Sequence, residues 1–439
     1  MYRKLDEVNM MYSFPEVALE EGYAIGTFIA KVKTGDIEKL ALAIADEQTT
    51  GTWIKVGGDS AEKNKRFGAK VVSIYEVPDA ASDYDYSGEP PMYVLQIAFP
   101  VDNFGTSIPM MLSTVFGNIS ASGMLKWVDV AFPKSYVEKF KGPAFGVQGL
   151  RDVLGVPDRP LVNAMIKPNI GWTPDEGAQI FYDAARGGVD VIKDDELMPA
   201  DESFCPLKER VTKFMAMEKK AYEETGEHTL YATNITDDVA KIRDNAMRAL
   251  EYGTNCLMLN TYTAGFSALK MLADDPDINV PILAHVDFAG AFAGSTYTGI
   301  NAPLLIGKIV RLSGGDFQIN GHPWGKFPIP GKMFYRSFKF FTQPWWNIKP
   351  MMYAASGGTT QLAVPKIMKA AGTDVILAAG GAIHGHPAGS YAGAKSMRQA
   401  IDATMQGIPL PEYAKDHEEL AQMVAMLDPD ILKNFDLMK

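Results

Sequence analysis

Beyond about residue 150 the chain alternates short apolar runs with amphipathic stretches. The runs are Leu161–Ile166, Val189–Ile192, Thr229–Ala232, Asn255–Leu259, Pro281–Ala284, Asp316–Ile319, Met351–Ala355 and Val375–Ala379. Runs this short, bounded by polar or Gly-rich residues, read as buried strands. Between most of them apolar positions recur with a helical period, most clearly over Asp175–Arg186, Leu207–Glu224, Asp237–Tyr252, Ala302–Leu312 and Thr360–Ala371. Eight strands alternating with helices predict a closed (β/α)8 barrel, a TIM barrel. An open doubly wound sheet fits less well, because no G-x-G-x-x-G follows the first run and no Walker A loop is present. From Tyr391 onward the pattern is mostly helical.

The preceding residues have no such repeat. Gly22–Val32, Lys70–Val77 and Met92–Phe99 read as strands, and Asp36–Asp46 as a helix. This predicts an N-terminal α+β domain with an antiparallel sheet. Gly142-Pro143 marks a boundary, giving an N-terminal domain over 1–142 and a barrel domain with C-terminal helices over 143–439.

The composition of the 439 residues, 47% apolar and 22% charged, is that of a globular protein with a large core. The net charge of −11 argues against a nucleic-acid surface and against an anionic membrane. The aromatic, basic segment Phe334–Trp346 therefore reads as packing rather than as a base-stacking platform. No apolar run approaches the ~18 residues of a membrane span. The first thirty residues carry Lys4, Asp6, Glu7, Glu16, Glu20 and Glu21 without an apolar core, unlike a secretory signal. Only Cys205 and Cys256 are present, so a reducing, cytoplasmic setting is expected.

Chemistry in a barrel gathers at the carboxyl ends of the strands. Those ends hold Lys167, Lys193-Asp194-Asp195-Glu196, Asn234, Asn260, His285, Asn320, Ser356-Gly357-Gly358 and Gly380-Gly381. Two hard carboxylates suit Mg²⁺. The neighbouring Lys193 would repel a cation unless its amine, neutral in a buried site, has captured CO₂ as an anionic carbamate. Taken alone, the K-D-D-E stretch reads better as a solvated turn. His384 and His386 have no third ligand nearby and read as turn-stabilising, and Cys205 reads as structural.

Several motifs occur together in order: Glu47-Gln48-Thr49-Thr50-Gly51-Thr52-Trp53, Lys167-Pro168-Asn169-Ile170-Gly171, Lys193 to Glu196, Ser313-Gly314-Gly315-Asp316 and Gly385-His386-Pro387. Over nearly its whole length the chain resembles RuBisCO large subunits and the RuBisCO-like, form IV proteins that do not fix CO₂. The resemblance implies that Lys193 is the carbamylated lysine and that Asp195 and Glu196 are the magnesium carboxylates. It implies that Lys167 serves proton transfer and that His285 lies near the substrate hydroxyls. Lys326 matches the lysine of a mobile loop after strand six, and Glu47 its acidic partner. Asn118 matches an amide near metal and substrate. Thr52, Trp53, Gly380 and Gly381 match a phosphate site, and Ser356 and Gly358 match further substrate contacts. The resemblance also implies a homodimer in which the N-terminal domain of one subunit completes the barrel site of the other.

The departures narrow the substrate. Where the carboxylases of the family place an Arg and two His, this chain has Val286, Ala289 and Ile319; Asn169 replaces a lysine and Phe327 a leucine. A second phosphate buried among such residues, or beside Trp324, would cost several kcal/mol, whereas an apolar tail would gain about 0.8 kcal/mol per buried CH₂. The expected substrate has one phosphate and one apolar end, such as 5-methylthioribulose 1-phosphate, enolised or isomerised in methionine salvage. The same apolar residues also read as barrel filling. Asp274-Asp275-Pro276-Asp277 and Ala284-His285 with Gly290-Ala291-Phe292 look similar to the enolase group of the RuBisCO-like proteins, but Asn118 and Lys326 depart from it. A decarboxylase or transcarboxylase of a 3-oxo sugar-acid phosphate, or a silent sugar-phosphate binder, remains an alternative.

Overall fold

The computed structural model describes residues 9–32, 37–51, 58, 60–77 and 91–427. They form two compact units. The first takes the chain up to Phe140 together with Phe288–Ile309 and Trp346–Ile348; the second takes the rest.

In the first unit, β1 (Tyr23–Lys31) lies at the centre of a five-stranded sheet. It pairs antiparallel with β3 (Met92–Pro100) and β4 (Leu125–Ala131), and β3 pairs with β2 (Lys70–Val77). The sheet is mixed rather than antiparallel. A two-residue strand, β10 (Gly299–Ile300), comes from far along the sequence and adds parallel to β4. Nothing in so short a segment marks it as a strand. Phe28 at the centre is fully buried and packs on Phe99 and Phe116 with ring centroids 6.5 and 6.1 Å apart.

The second unit contains the closed barrel. Its strands are β5 (Leu161–Met165), β6 (Val191–Lys193), β7 (Leu230–Asn234), β8 (Cys256–Asn260), β9 (Ile282–His285), β11 (Phe317–Gly321), β12 (Met352–Ser356) and β13 (Val375–Ala378). All eight neighbouring pairs are parallel. Alternate residues meet in one core cluster that includes Leu161, Val191, Leu230, Cys256, Leu283, Phe317, Met352 and Ile376. That period of two is what places the last inward residue of each strand at the barrel mouth. The helix Pro174–Arg186 after β5 starts on a capping box, Thr173 with Glu176. In place of a regular helix at Ala302–Leu312, Pro303–Ile309 is a π-helix within the first unit, and Val310–Leu312 is helical in the second.

Two buried carboxylates fasten the amino-terminal ends of the barrel strands. Asp316 accepts backbone N–H bonds from Phe145 (2.7 Å), Gly146 (2.9 Å) and Ile282 (2.9 Å). Burial pushes its pKa up to about 6 against the pull of those donors. Asp190 takes both guanidinium arms of Arg159, at 2.6 and 2.7 Å. The aromatic segment forms the helix Gly331–Thr342, with Phe334 and Phe341 packed on Tyr353 at 5.2 and 5.0 Å. Among the described residues no helix is long and apolar enough to cross a membrane.

Candidate active site

The carboxyl ends of the barrel strands surround a cavity of about 850 Å³. Lys167, Lys193, Asp195, Glu196, His285, Lys326, Ser356, Gly358, Gly380 and Gly381 all line it. These ten positions, scattered over 215 positions of sequence from Lys167 to Gly381, converge in one unit. Glu47 and Asn118 lie in the first unit, where the Asn118 amide donates to the Glu47 carboxylate at 3.3 Å. Thr52 and Trp53 lie outside the described residues.

Strand β6 organises the polar side of the cavity. Val191 belongs to the barrel core, and Lys193, two residues on, reaches the cavity while remaining fully buried. Its Nζ donates to Glu196 at 3.0 Å and to the Asp194 carbonyl at 2.8 Å. Asp194 turns the other way. It takes the Tyr231 hydroxyl (2.7 Å), the Asn234 backbone N–H (2.9 Å) and Arg210 Nε (3.4 Å). Asp194 and Arg210 are both fully buried, so this pair anchors the strand end rather than serving the cavity. The polar strand ends Asn234 and Asn260 also serve the turn: Asn260 donates to the Glu196 carbonyl at 2.9 Å and Asn234 to that of Met198 at 2.9 Å. The K-D-D-E stretch is therefore a buried, fastened turn and not a solvated one.

Each remaining carboxylate faces a cation. Lys167 Nζ donates to Asp195 Oδ2 and to Asn169 Oδ1, both at 2.6 Å. The backbone of Gly380 lies so close that a Cβ there would sit 3.1 Å from Lys167 Cε. Glu196 meets Lys193 and, at 3.3 Å, His285 Nε2. Burial opposes its ionisation, but the charges of Lys193 and His285 win and hold its pKa at about 2. His285 is pushed below the ordinary histidine range by burial and by Lys193, while Asp287, 2.9 Å from Nδ1, and Glu196 pull it back.

Among the described residues no three His, Cys, Asp or Glu side chains form a ready metal-binding group. Two carboxylates and an ammonium do not suit Mg²⁺. The same residues suit it once Lys193 carries a carbamate, since the donor set becomes three anionic oxygen ligands on one turn. The donor set fits the metal only in that form.

The lining of the cavity is also apolar in part. Val286, Ile319, Phe327 and Ile329 line it, joined by Met423, Met426 and Leu427 from the C-terminal helix region. Ile319 is also part of the barrel core and Val286 packs against it, so these residues both fill the barrel and face the cavity. Trp324 does not line the cavity; it packs on Phe334 at 6.0 Å. Ala289 falls in the first unit. His386 accepts from the Ala388 backbone N–H at 3.0 Å, as a turn-holding histidine does.

Residues 146–427 match the ribulose bisphosphate carboxylase large chain catalytic domain, and residues 20–136 match its N-terminal domain. The chain belongs to the RuBisCO large-chain family. A ribulose bisphosphate carboxylase-like protein of Archaeoglobus fulgidus is 45% identical over 92% of this chain and 93% of its own. The 2,3-diketo-5-methylthiopentyl-1-phosphate enolase of Geobacillus kaustophilus is 35% identical over 89% of this chain and 94% of its own. Among solved structures, a RuBisCO-like protein (MtnW) from Alicyclobacillus acidocaldarius superposes with a TM-score of 0.84 at 34% identity, covering 92% of this chain and 99% of that one. This RuBisCO-family chain thus has RuBisCO-like proteins, an enolase among them, as its relatives.

Sequence reasoning missed several cavity residues. Asp287 stands two residues after His285, and that spacing was a visible signal for a carboxylate holding the ring. Thr359, Met423, Met426 and Leu427 had none, because they lie outside the barrel strands whose ends the period of two locates.

Proposed function

We propose that this protein is a Mg²⁺-dependent enolising enzyme for a phosphorylated keto-sugar with an apolar tail, of the 2,3-diketo-5-methylthiopentyl or 5-methylthioribulose 1-phosphate type, acting in methionine salvage. One observation carries the reading: a single cavity joins a lysine–carboxylate–histidine cluster to an apolar wall. The polar side suits proton transfer next to a carbonyl, and the wall suits a methylthio group. The enolase relative supports the same substrate class.

Lys193 as carbamate, Asp195 and Glu196 would hold the ion. When bound, Mg²⁺ supplies stabilisation of the negative charge that develops on the substrate oxygens. Lys167 is assigned the proton transfer. It stands just beyond the end of β5, where its amine is paired with Asp195, and a metal held by Asp195 would release that amine to carry a proton. His285, held by Asp287, is assigned to a substrate hydroxyl or carbonyl. Lys326, Ser356, Gly358, Gly380 and Gly381 are assigned to the phosphate end and its surroundings, where glycine leaves backbone N–H groups open to an anion. Phe327 and the methionines would close over a bound apolar tail and exclude water there. Glu47, Asn118, Thr52 and Trp53 would complete the site from a second copy in a homodimer.

The test is deuterium uptake by each candidate substrate in D₂O, followed by NMR with and without Mg²⁺ and bicarbonate. Exchange that requires both additives and disappears in Lys167→Met supports the reading. Exchange at the wild-type rate in Lys167→Met removes Lys167 as the base. Release of CO₂ from a 3-oxo sugar-acid phosphate, with no exchange of the methylthio substrates, would favour the decarboxylase instead.

A further inference from the structure

The segment after β11 carries Lys326 and ends at the helix Gly331–Thr342. It rests closely on the loop after β12. The Phe327 backbone N–H donates to the Gly357 carbonyl at 3.1 Å. A Cβ on Gly358, whose φ is +99°, would lie 2.4 Å from Lys326 N and 2.5 Å from Lys326 Cβ. A Cβ on Gly325 would lie 2.5 Å from the Gly357 oxygen. The two loops therefore meet backbone to backbone, with glycine required on both sides.

His322 lies at the root of this contact and is fully buried. The Trp324 backbone N–H donates to its Nδ1 at 3.1 Å, which makes Nε2 the protonated nitrogen. Nε2 is 2.9 Å from Thr359 Oγ1, and Thr359 in turn donates to the Ala355 carbonyl at 2.8 Å. The imidazole thus reaches from the Lys326 loop to the β12 loop with both nitrogens used. Burial pushes its pKa down to about 4, so near neutral pH the ring holds the single neutral tautomer these bonds need. Tyr353 of β12 adds a hydroxyl bond to the Gly321 carbonyl at 2.5 Å.

We infer that His322 is a positioning residue: by bridging Trp324 and Thr359 it holds the Lys326 loop docked against Gly357-Gly358 before substrate binds, so that Lys326 is preset at the cavity. The inference rests on the reading that Lys326 works in that cavity, but docking itself is a property of the substrate-free protein. A histidine that only filled the core would stabilise the barrel as a whole. A positioning histidine acts on the loop alone and, through Lys326, on turnover.

Segment-resolved hydrogen exchange on the full chain without substrate tests it. Peptides covering 322–329 should be protected in the wild type. Loss of a buried bridge should speed their exchange by roughly tenfold in His322→Ala and in the isosteric Thr359→Val, with peptides of β5 to β9 unchanged. His322→Gln, whose amide can still reach Thr359, should restore most of the protection. With an accepted substrate, His322→Ala should lower kcat more than it raises KM, and it should cost nothing further in a Lys326→Met background. An unprotected loop in the wild type, or variants that loosen the whole barrel equally, overturns the inference. If no substrate is turned over by the wild type, the proposed function fails while the exchange result still decides the docking.

Discussion

Replacing Lys193 with methionine keeps the buried volume and removes the amine. Two consequences separate. In the unloaded protein, Lys193 is an ammonium 3.0 Å from Glu196, whose pKa stands at about 2 against an ordinary 4.5. A gap of about 2.5 units corresponds to about 3.4 kcal/mol at 1.36 kcal/mol per unit. A third of the Glu196 side chain faces solvent and His285 shares the effect, so screening leaves Lys193 about 1–2 kcal/mol. Glu196 is an acid whose pKa is depressed by folding. Its contribution is present above pH 4.5 and is lost as pH falls through 2.

Urea unfolding at a series of pH values, without Mg²⁺ or bicarbonate, should therefore show a smaller loss of stability in Lys193→Met than in wild type between pH 5 and pH 2.5. The slope is diagnostic. The absolute stability near pH 7 is not, because removing the ammonium also removes its cost of burial. The second consequence concerns loading. Converting Lys193 to a carbamate trades its attraction for Glu196 into repulsion unless a cation arrives. Bicarbonate alone should then stabilise the wild type little, and Mg²⁺ with bicarbonate should stabilise it by about 2.7 kcal/mol at a hundredfold excess over Kd. Lys193→Met should gain none of this, and its Mg²⁺-dependent proton exchange should vanish. Equal stabilisation of variant and wild type by the two additives refutes the reasoning.

Labelled bicarbonate should not enter 3-phosphoglycerate from ribulose 1,5-bisphosphate above a no-enzyme control, because Val286 and Ile319 line the cavity where a second phosphate would need cations. Burial holds His384 at about 4, so its neutral form contributes stability that is present above pH 6.5 and lost as pH falls through 4. Unfolding free energies over that window should show His384→Gln reducing the stability lost across it by at most about 3.4 kcal/mol. If a second copy completes each site, mixed Glu47→Gln and Lys193→Met chains, each inactive alone, should recover roughly a quarter of wild-type activity after subunit exchange. No recovery in a confirmed mixed dimer would count against the shared site.

The barrel was legible because its signal is periodic. A strand buried on both faces must be an apolar run, and each run recovered its strand to within two residues at either end. Strand β10 was not legible, since two residues carry no period and its pairing with β4 is set by the chain around it. The site divides in the same way. Lys193 and Asp195 could be assigned to one side because alternation is local. Which carboxylate meets which lysine could not, because it depends on neighbouring strands: Lys167 on β5's end takes Asp195, leaving Glu196 to Lys193 and His285.

The apolar wall shows why sequence alone left two readings of Val286 and Ile319 standing. In a closed barrel the top layer of the core is also the floor of the cavity, so the same side chains that fill the barrel meet the ligand. Ile319 belongs to the core cluster, Val286 packs on it, and both line the cavity. Enlarging the binding space by Ile319→Ala would then also leave a void in the barrel. Where a cationic or polar side chain in this layer could receive a second phosphate, here the need for a packed core and the preference for an apolar substrate end are met by one choice of residue. A substrate change at Val286 or Ile319 is therefore coupled to barrel stability, whereas a change at Phe327, half exposed on the loop that lines the same cavity, is not.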